Sequence, residues 1–406
     1  MGKQLCVDYI AGILNGPQFD KRNTLIQGQL HRAKPLQQQV YSSCLPRPNS
    51  ALNVVHNGQI VHNYNIAQPS RYVFHGAKFV KTVTKSASPL DAIVGHLAIP
   101  LAQTDALIRQ VIDSDTHLVE EVGRYVLDNS GKKLRPIMLL LSAQASGYTG
   151  DKHTRVAAAL EIIHTATLLH DDVIDMAHLR RGKPSVNAKY GQDVAILIAD
   201  FMYANAFRLA MESLSPQVIG MICQVTARMC EGEMFQIEKR NQWMVEADYL
   251  RIVRSKTAFL FSACTGLGGT LTGLGDSSVE SLTRFGLNFG TAFQITDDVL
   301  DLASQESALG KEAGTDIKNG KQTLPLIHAY HMASVEGQRK LREAWDNDRE
   351  PGIFRDAIHN HGGIEYATKQ AKMYADKARE CLNVLPPSVE KDFLDQIATY
   401  VVERTY

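Results

Sequence analysis

Three aspartates followed by two adjacent arginines stand in HDDVIDMAHLRRG, His170 to Gly182, a composition suited to cations and phosphates. Asp171 and Asp175 are four residues apart, so on a continuing helix their carboxylates share a face, one turn apart. Like charges at that spacing cost about 0.2–0.5 kcal/mol when exposed, and more as water is removed. A buried helix ending in Asp171, Asp172 and Asp175 therefore needs cations. Hard cations such as Mg²⁺ take oxygen ligands, commonly one or two carboxylates together with substrate phosphates. Arg180 and Arg181 are suited to fork-like contacts with those phosphates. The arrangement recurs in FGTAFQITDDVLD, residues 289–301, where an apolar stretch runs into Asp297, Asp298 and Asp301. The second cluster begins 126 positions after the first. That is far enough for two antiparallel helices to aim their acidic ends at one cavity. A lone DDxxD is a weak signal; two copies, each on an apolar helix and each followed by basic residues, are a strong one.

Other residues fit the same chemistry. GKKLRP, Gly131 to Pro136, sets Lys132 and Arg135 three apart at a helix start. Free backbone N–H groups and the helix dipole already favour an anion there. In isolation the motif reads equally well as a solvated basic turn. His164, two turns before Asp171 on the same helix face, can donate one hydrogen bond to a diphosphate, although a histidine in such a place is more often a satisfied core group. SKTAFL puts Lys256 and Thr257 inside an apolar helix, where a lysine must snorkel outward or meet an anion. Gln294 precedes Asp297 by one turn. LGKEAGTDIKNGKQTLP, Leu309 to Pro325, carries Lys311 and Lys321 on a glycine-rich loop able to close over phosphates.

The elements that must position these residues read as helices. VAAALEIIHTATLL, Val156 to Leu169, is apolar almost all round, the mark of a buried helix. Helical periodicity starts near Ile99 and predicts helices over 102–128, from Lys132 to Ser146, and over 153–175, 192–213, 217–240, 247–272, 278–303, 322–333, 352–360, 363–383 and 388–404. No convincing strand, GxGxxG or P-loop is present. The fold class is all-α, a bundle of about ten or more helices with polar sites facing a central cavity. Residues 1–98 differ: ten Lys or Arg stand against three acidic residues, and no amphipathic period persists. They read as a poorly structured extension ahead of a domain over 99–406. The whole chain has zero net charge, which gives no argument for nucleic acid. No run reaches the roughly 18 uninterrupted apolar residues of a transmembrane segment. Six cysteines show no metal-ligand spacing and fit a reducing compartment. A cytoplasmic location is expected, or an organelle matrix if the basic extension is a transit peptide.

From about residue 100 onward these motifs, in this order, resemble the trans-prenyltransferase family, the (E)-polyprenyl diphosphate synthases. The resemblance implies that Asp171, Asp172, Asp175, Asp297, Asp298 and Asp301 hold Mg²⁺ on an allylic diphosphate. It assigns Arg180, Lys256, Thr257, Lys311 and Lys321 as further contacts to that diphosphate. Lys132, Arg135, His164 and Arg181 would form the pocket for isopentenyl diphosphate, with Gln294 between the two. Ser130 and Lys133 depart from the family's usual GGKRxRP. The resemblance also implies a homodimer. In the family an aromatic residue four or five before the first Asp motif blocks the product tunnel. Here Thr167 and Ala166 stand there, which favours a long product of the kind used for quinone side chains.

The alternatives are a short-chain (farnesyl or geranylgeranyl) synthase and a non-catalytic subunit of a two-component synthase. A class I terpene cyclase normally carries an Asn/Ser/Glu-type second motif where DDVLD stands. An HD-type metal phosphohydrolase, suggested by His164 and the His170-Asp171 pair, leaves Arg180, Arg181 and the second cluster unexplained.

Overall fold

The computed structural model describes residues 50–56, 59–66, 89–129, 131–211, 215–240, 242–303, 315–347 and 349–404. The chain divides into two units, Met1–Ala87 and Ser88–Tyr406. In the first, β1 (Ser50–His56) and β2 (Gln59–Ile66) form an antiparallel hairpin, with an irregularity between Val54 and Val55. This corrects the expectation that the chain holds no strand. Val54-Val55 and Ile60-Val61 are β-branched pairs, short enough to escape a search for long periodic segments.

The second unit is helical: α1 (Pro89–His96), α2 (Ala98–Gln110), α3 (His117–Leu127), α4 (Leu134–Ala145), α5 (Lys152–Ile174), α6 (Val186–Tyr190), α7 (Gln192–Met211), α8 (Pro216–Lys239), α9 (Glu246–Val253), α10 (Phe259–Thr270), α11 (Asp276–Ala303), α12 (Thr315–Lys318), α13 (Leu324–Met332), α14 (Val335–Asp346), α15 (Pro351–Asn360), α16 (Gly363–Cys381) and α17 (Val389–Glu403). A two-residue ribbon, β3 (Leu179–Arg180) with β4 (Lys183–Pro184), comes after α5. The unit begins ahead of the boundary expected at Ile99, because Ile93 and Leu97 are fully buried in its core. The helix expected over 102–128 is two helices. Asp113, Ser114, Asp115 and Thr116 compete with helix through their own side chains, and the Ser114 hydroxyl accepts from the Thr116 N–H at 3.2 Å.

Serines cap several helices. The side chains of Ser185, Ser215, Ser334 and Ser388 each accept a backbone N–H from the first turn of the next helix. Proline starts α8 and α15, where its missing N–H costs nothing. α5 and α11 are the inner helices: α5 packs on α7, α4 and α2, and α11 on α10, α16 and α17. A smaller core of Leu326, Tyr330, Leu341, Trp345, Phe354 and Ile358 lies under α12 to α15.

Between α9 and α10 the chain makes a π-turn, Arg254–Ala258, inside what the sequence predicts as one helix over 247–272. Such single-turn bulges insert a residue into the helix and recur at functional sites. Two glycines let neighbours approach it. A Cβ on Gly290 of α11 would lie 2.5 Å from the Ala258 Cα, and one on Gly232 of α8 would lie 2.4 Å from the Ser255 Cβ. Gly290→Ala meets backbone, which cannot rotate aside. Thermal or denaturant unfolding of that variant should show a loss of about 1–3 kcal/mol, the usual cost of overpacking.

Candidate active site

Val156 to Ile163 of α5 are fully buried or nearly so, as expected of a helix surrounded by others. Its C-terminal end carries Asp171, and Asp175 caps it, its N–H donating to the Asp171 carbonyl at 2.8 Å. α11 buries Phe289, Ala292 and Ile295 and turns Gln294, Asp297 and Asp298 toward the same space. Asp171 and Asp175 from one helix, with Asp297 and Asp298 from the other, line one cavity of about 470 Å³. The cavity's cationic walls come from Arg135, Arg180, Arg181, Lys239, Lys256 and Lys321.

Within each cluster the aspartates differ. Asp172 does not line the cavity: it is buried and ion-paired to Arg180, whose Nε donates to its Oδ1 at 3.0 Å, so it holds the arginine in place. The Lys321 Nζ meets the Asp175 Oδ2 at 2.8 Å, joining the first cluster to the turn after α12. Asp297 is ion-paired with Arg404 beyond α17, which also donates to the Phe293 carbonyl at 3.3 Å. Asp298 is buried, accepting from the Tyr249 hydroxyl at 2.6 Å and from the Gln294 amide at 2.9 Å. Asp301 accepts the Asp316 N–H at 3.2 Å, and Asp316 takes a place in the cavity wall.

The π-turn delivers the next pair. Lys256 is ion-paired with Glu233 of α8 and lies 3.2 Å from the Gln236 Oε1. The Thr257 hydroxyl donates to the Gln294 Oε1 at 2.8 Å, so Gln294 links Thr257 to Asp298.

The residues expected to hold isopentenyl diphosphate stand in the same cavity. Arg135, His164 and Arg181 line the cavity. The Arg135 guanidinium sits 4.6 Å from the Phe261 ring centre, and its buried Nε has no partner. Arg181 rests on Gly131, where a Cβ would come within 2.5 Å of its Nη2, and its Nη1 donates to the Asn129 carbonyl. This contact unites the GKKLRP turn with the first motif's second arginine. Lys132 is not part of that wall. It lines a separate cavity of about 20 Å³ beside Arg404 and Phe293, close enough for its charge to favour ionised Asp297. Lys311 lies outside the described residues.

Electrostatics set the protonation states. Burial raises the Asp171 carboxyl to about 6 against the opposing pull of Lys256. Burial, then Asp301, raises Asp316 to about 6, and burial raises Asp297 despite Arg404. Asp298 is held well above the carboxylate range by burial and by Asp316. His164 is pushed well below its usual value by burial and then by Arg135, Arg181 and Arg180, so it stands neutral at pH 7. A carboxyl raised on folding stabilises the fold below its unfolded value and loses that contribution as pH climbs through the folded value. Without divalent cations, Asp316→Asn should therefore melt above the wild type at pH 7.5 by about 2–4 °C. The gap should narrow as pH falls below about 6 and close only below about 4, where Asp316 is protonated in the unfolded chain as well; calorimetry across that range reads it.

Sequence reasoning missed Asp316, Tyr249, Glu233 and Arg404. Asp316 stands in the GTDIKNGK loop already noted for its lysines and was within reach. Tyr249 and Arg404 are 49 and 107 residues from the aspartates they contact, and no local pattern signals them.

A helical cavity edged by two aspartate clusters and faced by lysines and arginines is the site of a diphosphate-handling enzyme. The chain belongs to the polyprenyl synthetase family, whose model matches residues 116–359. It is 37% identical over 319 residues to the octaprenyl diphosphate synthase of Escherichia coli strain K12, covering 78% of this chain and 99% of that protein. It resembles the crystal structure of a decaprenyl diphosphate synthase from Rhodobacter capsulatus (35% identity, TM-score 0.74), covering 78% of this chain and 100% of that one. A polyprenyl synthase from Caulobacter crescentus CB15, complexed with calcium and isoprenyl diphosphate, is similar at 34% identity and TM-score 0.74, with 80% and 100% covered.

Proposed function

We propose that this chain condenses isopentenyl diphosphate head to tail with an allylic diphosphate, repeatedly, to build a long all-trans polyprenyl diphosphate and release pyrophosphate. The observation that carries it is the single cavity shared by Asp171, Asp175, Asp297 and Asp298 and faced by lysines and arginines. Mg²⁺ fits this donor set. All the candidate ligands are carboxylate oxygens, and among the described residues no three His, Cys, Asp or Glu side chains are grouped for one ion. That suits a metal completed by substrate phosphates. Asp171 and Asp175 would hold it on one wall, and Asp297, Asp298 and Asp316 on the other. When bound, Mg²⁺ would draw off the negative charge that builds on the leaving diphosphate.

The protein's own groups do the rest. Arg180, Lys256 and Lys321 bind the allylic diphosphate and stabilise it as its C–O bond ionises. Leu168, Ile252, Val253 and Phe293 line the cavity with apolar surface, which keeps water from the allylic cation. Arg135, Arg181 and the neutral His164 hold isopentenyl diphosphate by its phosphates, leaving its double bond to attack. That attack leaves a tertiary cation on the isopentenyl unit, and the proton lost from its neighbouring carbon to form the new double bond goes to an oxygen of the departing pyrophosphate.

The small residues at Ala166 and Thr167, and the octaprenyl and decaprenyl relatives, support a long product. Incubating the chain with Mg²⁺, farnesyl diphosphate and labelled isopentenyl diphosphate, then measuring chain length, tests the reading. Absence of any extended product would end it.

We also propose a homodimer through α7 and α8. α7 is long and apolar enough by composition to cross a membrane, yet it packs along α5. It leaves Leu197 and Met211 exposed, and α8 leaves Cys223, Cys230, Met234 and Ile237 exposed at helical spacing. An apolar face shared by two touching helices suits a second copy of this chain. Sedimentation of a monomer at micromolar concentration would overturn it.

A further inference from the structure

The turn that carries Asp316 and Lys321 is supported from outside the cavity by a residue that no motif includes. Arg349, between α14 and α15, holds a left-handed backbone with φ of 48°, uncommon for a side chain of its size. Its N–H donates to the Ala344 carbonyl at 2.9 Å, and its Nε to the Trp345 carbonyl at 3.0 Å. Its guanidinium lies 5.1 Å from the Trp345 ring centre. Trp345 is itself buried, edge-on to Phe354 at 5.6 Å and tilted on Trp243 at 5.6 Å. The same guanidinium lies against Gly320: a Cβ there would be 2.5 Å from Nη1 and 3.1 Å from Cζ. Gly320, with φ of 71°, closes the turn in which its N–H donates to Ile317 at 3.0 Å and the Lys321 N–H donates to Asp316 at 2.8 Å. From that turn Lys321 reaches Asp175, also at 2.8 Å.

We propose that Arg349 is a positioning residue for the allylic diphosphate: it braces the Asp316–Lys321 turn against the Trp345 core and so fixes where the Lys321 ammonium stands. The proposal rests on the cavity being a prenyl-transfer site. A left-handed backbone at Arg349 beside a buried tryptophan, and a glycine where its guanidinium lies, both fit this role. Arg349 does not line the cavity, so its effect passes through the turn.

The test uses the full chain with Arg349→Ala, Arg349→Lys, Lys321→Ala and the double variant Arg349→Ala/Lys321→Ala. Hydrogen exchange at the Gly320 and Lys321 amides should quicken about tenfold in Arg349→Ala while amides of α5 and α11 stay protected. Affinity for inorganic pyrophosphate with Mg²⁺, read by calorimetry, should fall about tenfold, as should 1/KM for the allylic diphosphate. KM for isopentenyl diphosphate should stay within about twofold, and the double variant should bind pyrophosphate no worse than Lys321→Ala alone. Arg349→Lys keeps a cation over Trp345 but cannot lay a flat fork on Gly320. It should restore melting temperature without restoring pyrophosphate affinity, which keeps the test valid if the alanine variant folds poorly. Unchanged exchange at Gly320 and Lys321, or effects of Arg349 and Lys321 that multiply, would overturn the proposal. A wild type that binds pyrophosphate but makes no polyprenyl product would defeat the functional reading instead, while exchange and pyrophosphate binding still report on the brace.

Discussion

Asp171→Asn should lower kcat/KM by at least about 10³, equivalent to about 4 kcal/mol of transition-state stabilisation, with the fold intact. The substitution keeps shape and removes one charge from a wall that, in the reaction proposed, holds a divalent cation against a diphosphate. Burial already disfavours that charge, so the asparagine variant should melt no lower than the wild type when metal is absent. Steady-state kinetics and calorimetry on the same sample separate the two effects. Asp301→Asn is the contrast: its carboxylate accepts the Asp316 N–H and is absent from the cavity wall, so a loss of about tenfold is expected. Equal losses at the two positions would mean that both carboxylates meet the substrate, and that the structural distinction between them has no bearing on the reaction.

Ala166→Phe should shorten the product. Ala166 is fully buried on α5, five residues before Asp171, with Ile163 and Ala159 equally buried on the turns below it. Thr167, its neighbour, lines the cavity, with its hydroxyl donating to the His164 carbonyl at 2.7 Å. In the reaction proposed, a chain growing away from Asp171 along α5 would pass these small side chains first, and each helical turn it gained would add about 5.4 Å of path. A phenyl group at Ala166 would obstruct that path and would add about 1–3 kcal/mol of overpacking strain. Chromatography of the dephosphorylated products should show the distribution moving to shorter chains while turnover of the first condensation persists. Thr167→Phe, which projects into the open cavity, should act in the same direction with less damage to stability. If both variants kept the wild-type distribution, the product would have to leave by another route than along α5.

Much of this site is legible in the sequence because its strongest features are local. An apolar helix ending in aspartates declares both its burial and its charge conflict, and two such helices imply a common cavity. The structure brings them together there. Lysines and arginines one or two turns from those motifs are legible for the same reason. Local patterns fail where partners are distant. DDxxD gives no way to tell that Asp172 faces Arg180 while Asp171 faces the cavity, since both are simply acidic. Lys132 and Arg135 look alike at a helix start, but Lys133, at φ of 52° and ion-paired to Asp105, turns the chain so that only Arg135 enters the main cavity. α14 escapes notice because only Leu341 and Trp345 of its twelve residues are buried, too few to make a visible period.

The π-turn at Arg254–Ala258 also sets a rule for how this chain can change length. The wide turn takes up one extra residue in about the rotation of a regular turn, so deleting one residue there would let the segment relax to regular helix with α9 and α10 still in phase. What would be lost is the bulge itself, and with it the places from which Lys256 reaches Glu233 and Thr257 reaches Gln294. The two helices can therefore keep their packing while the chain shortens by one, and the cost falls on the polar wall of the cavity alone.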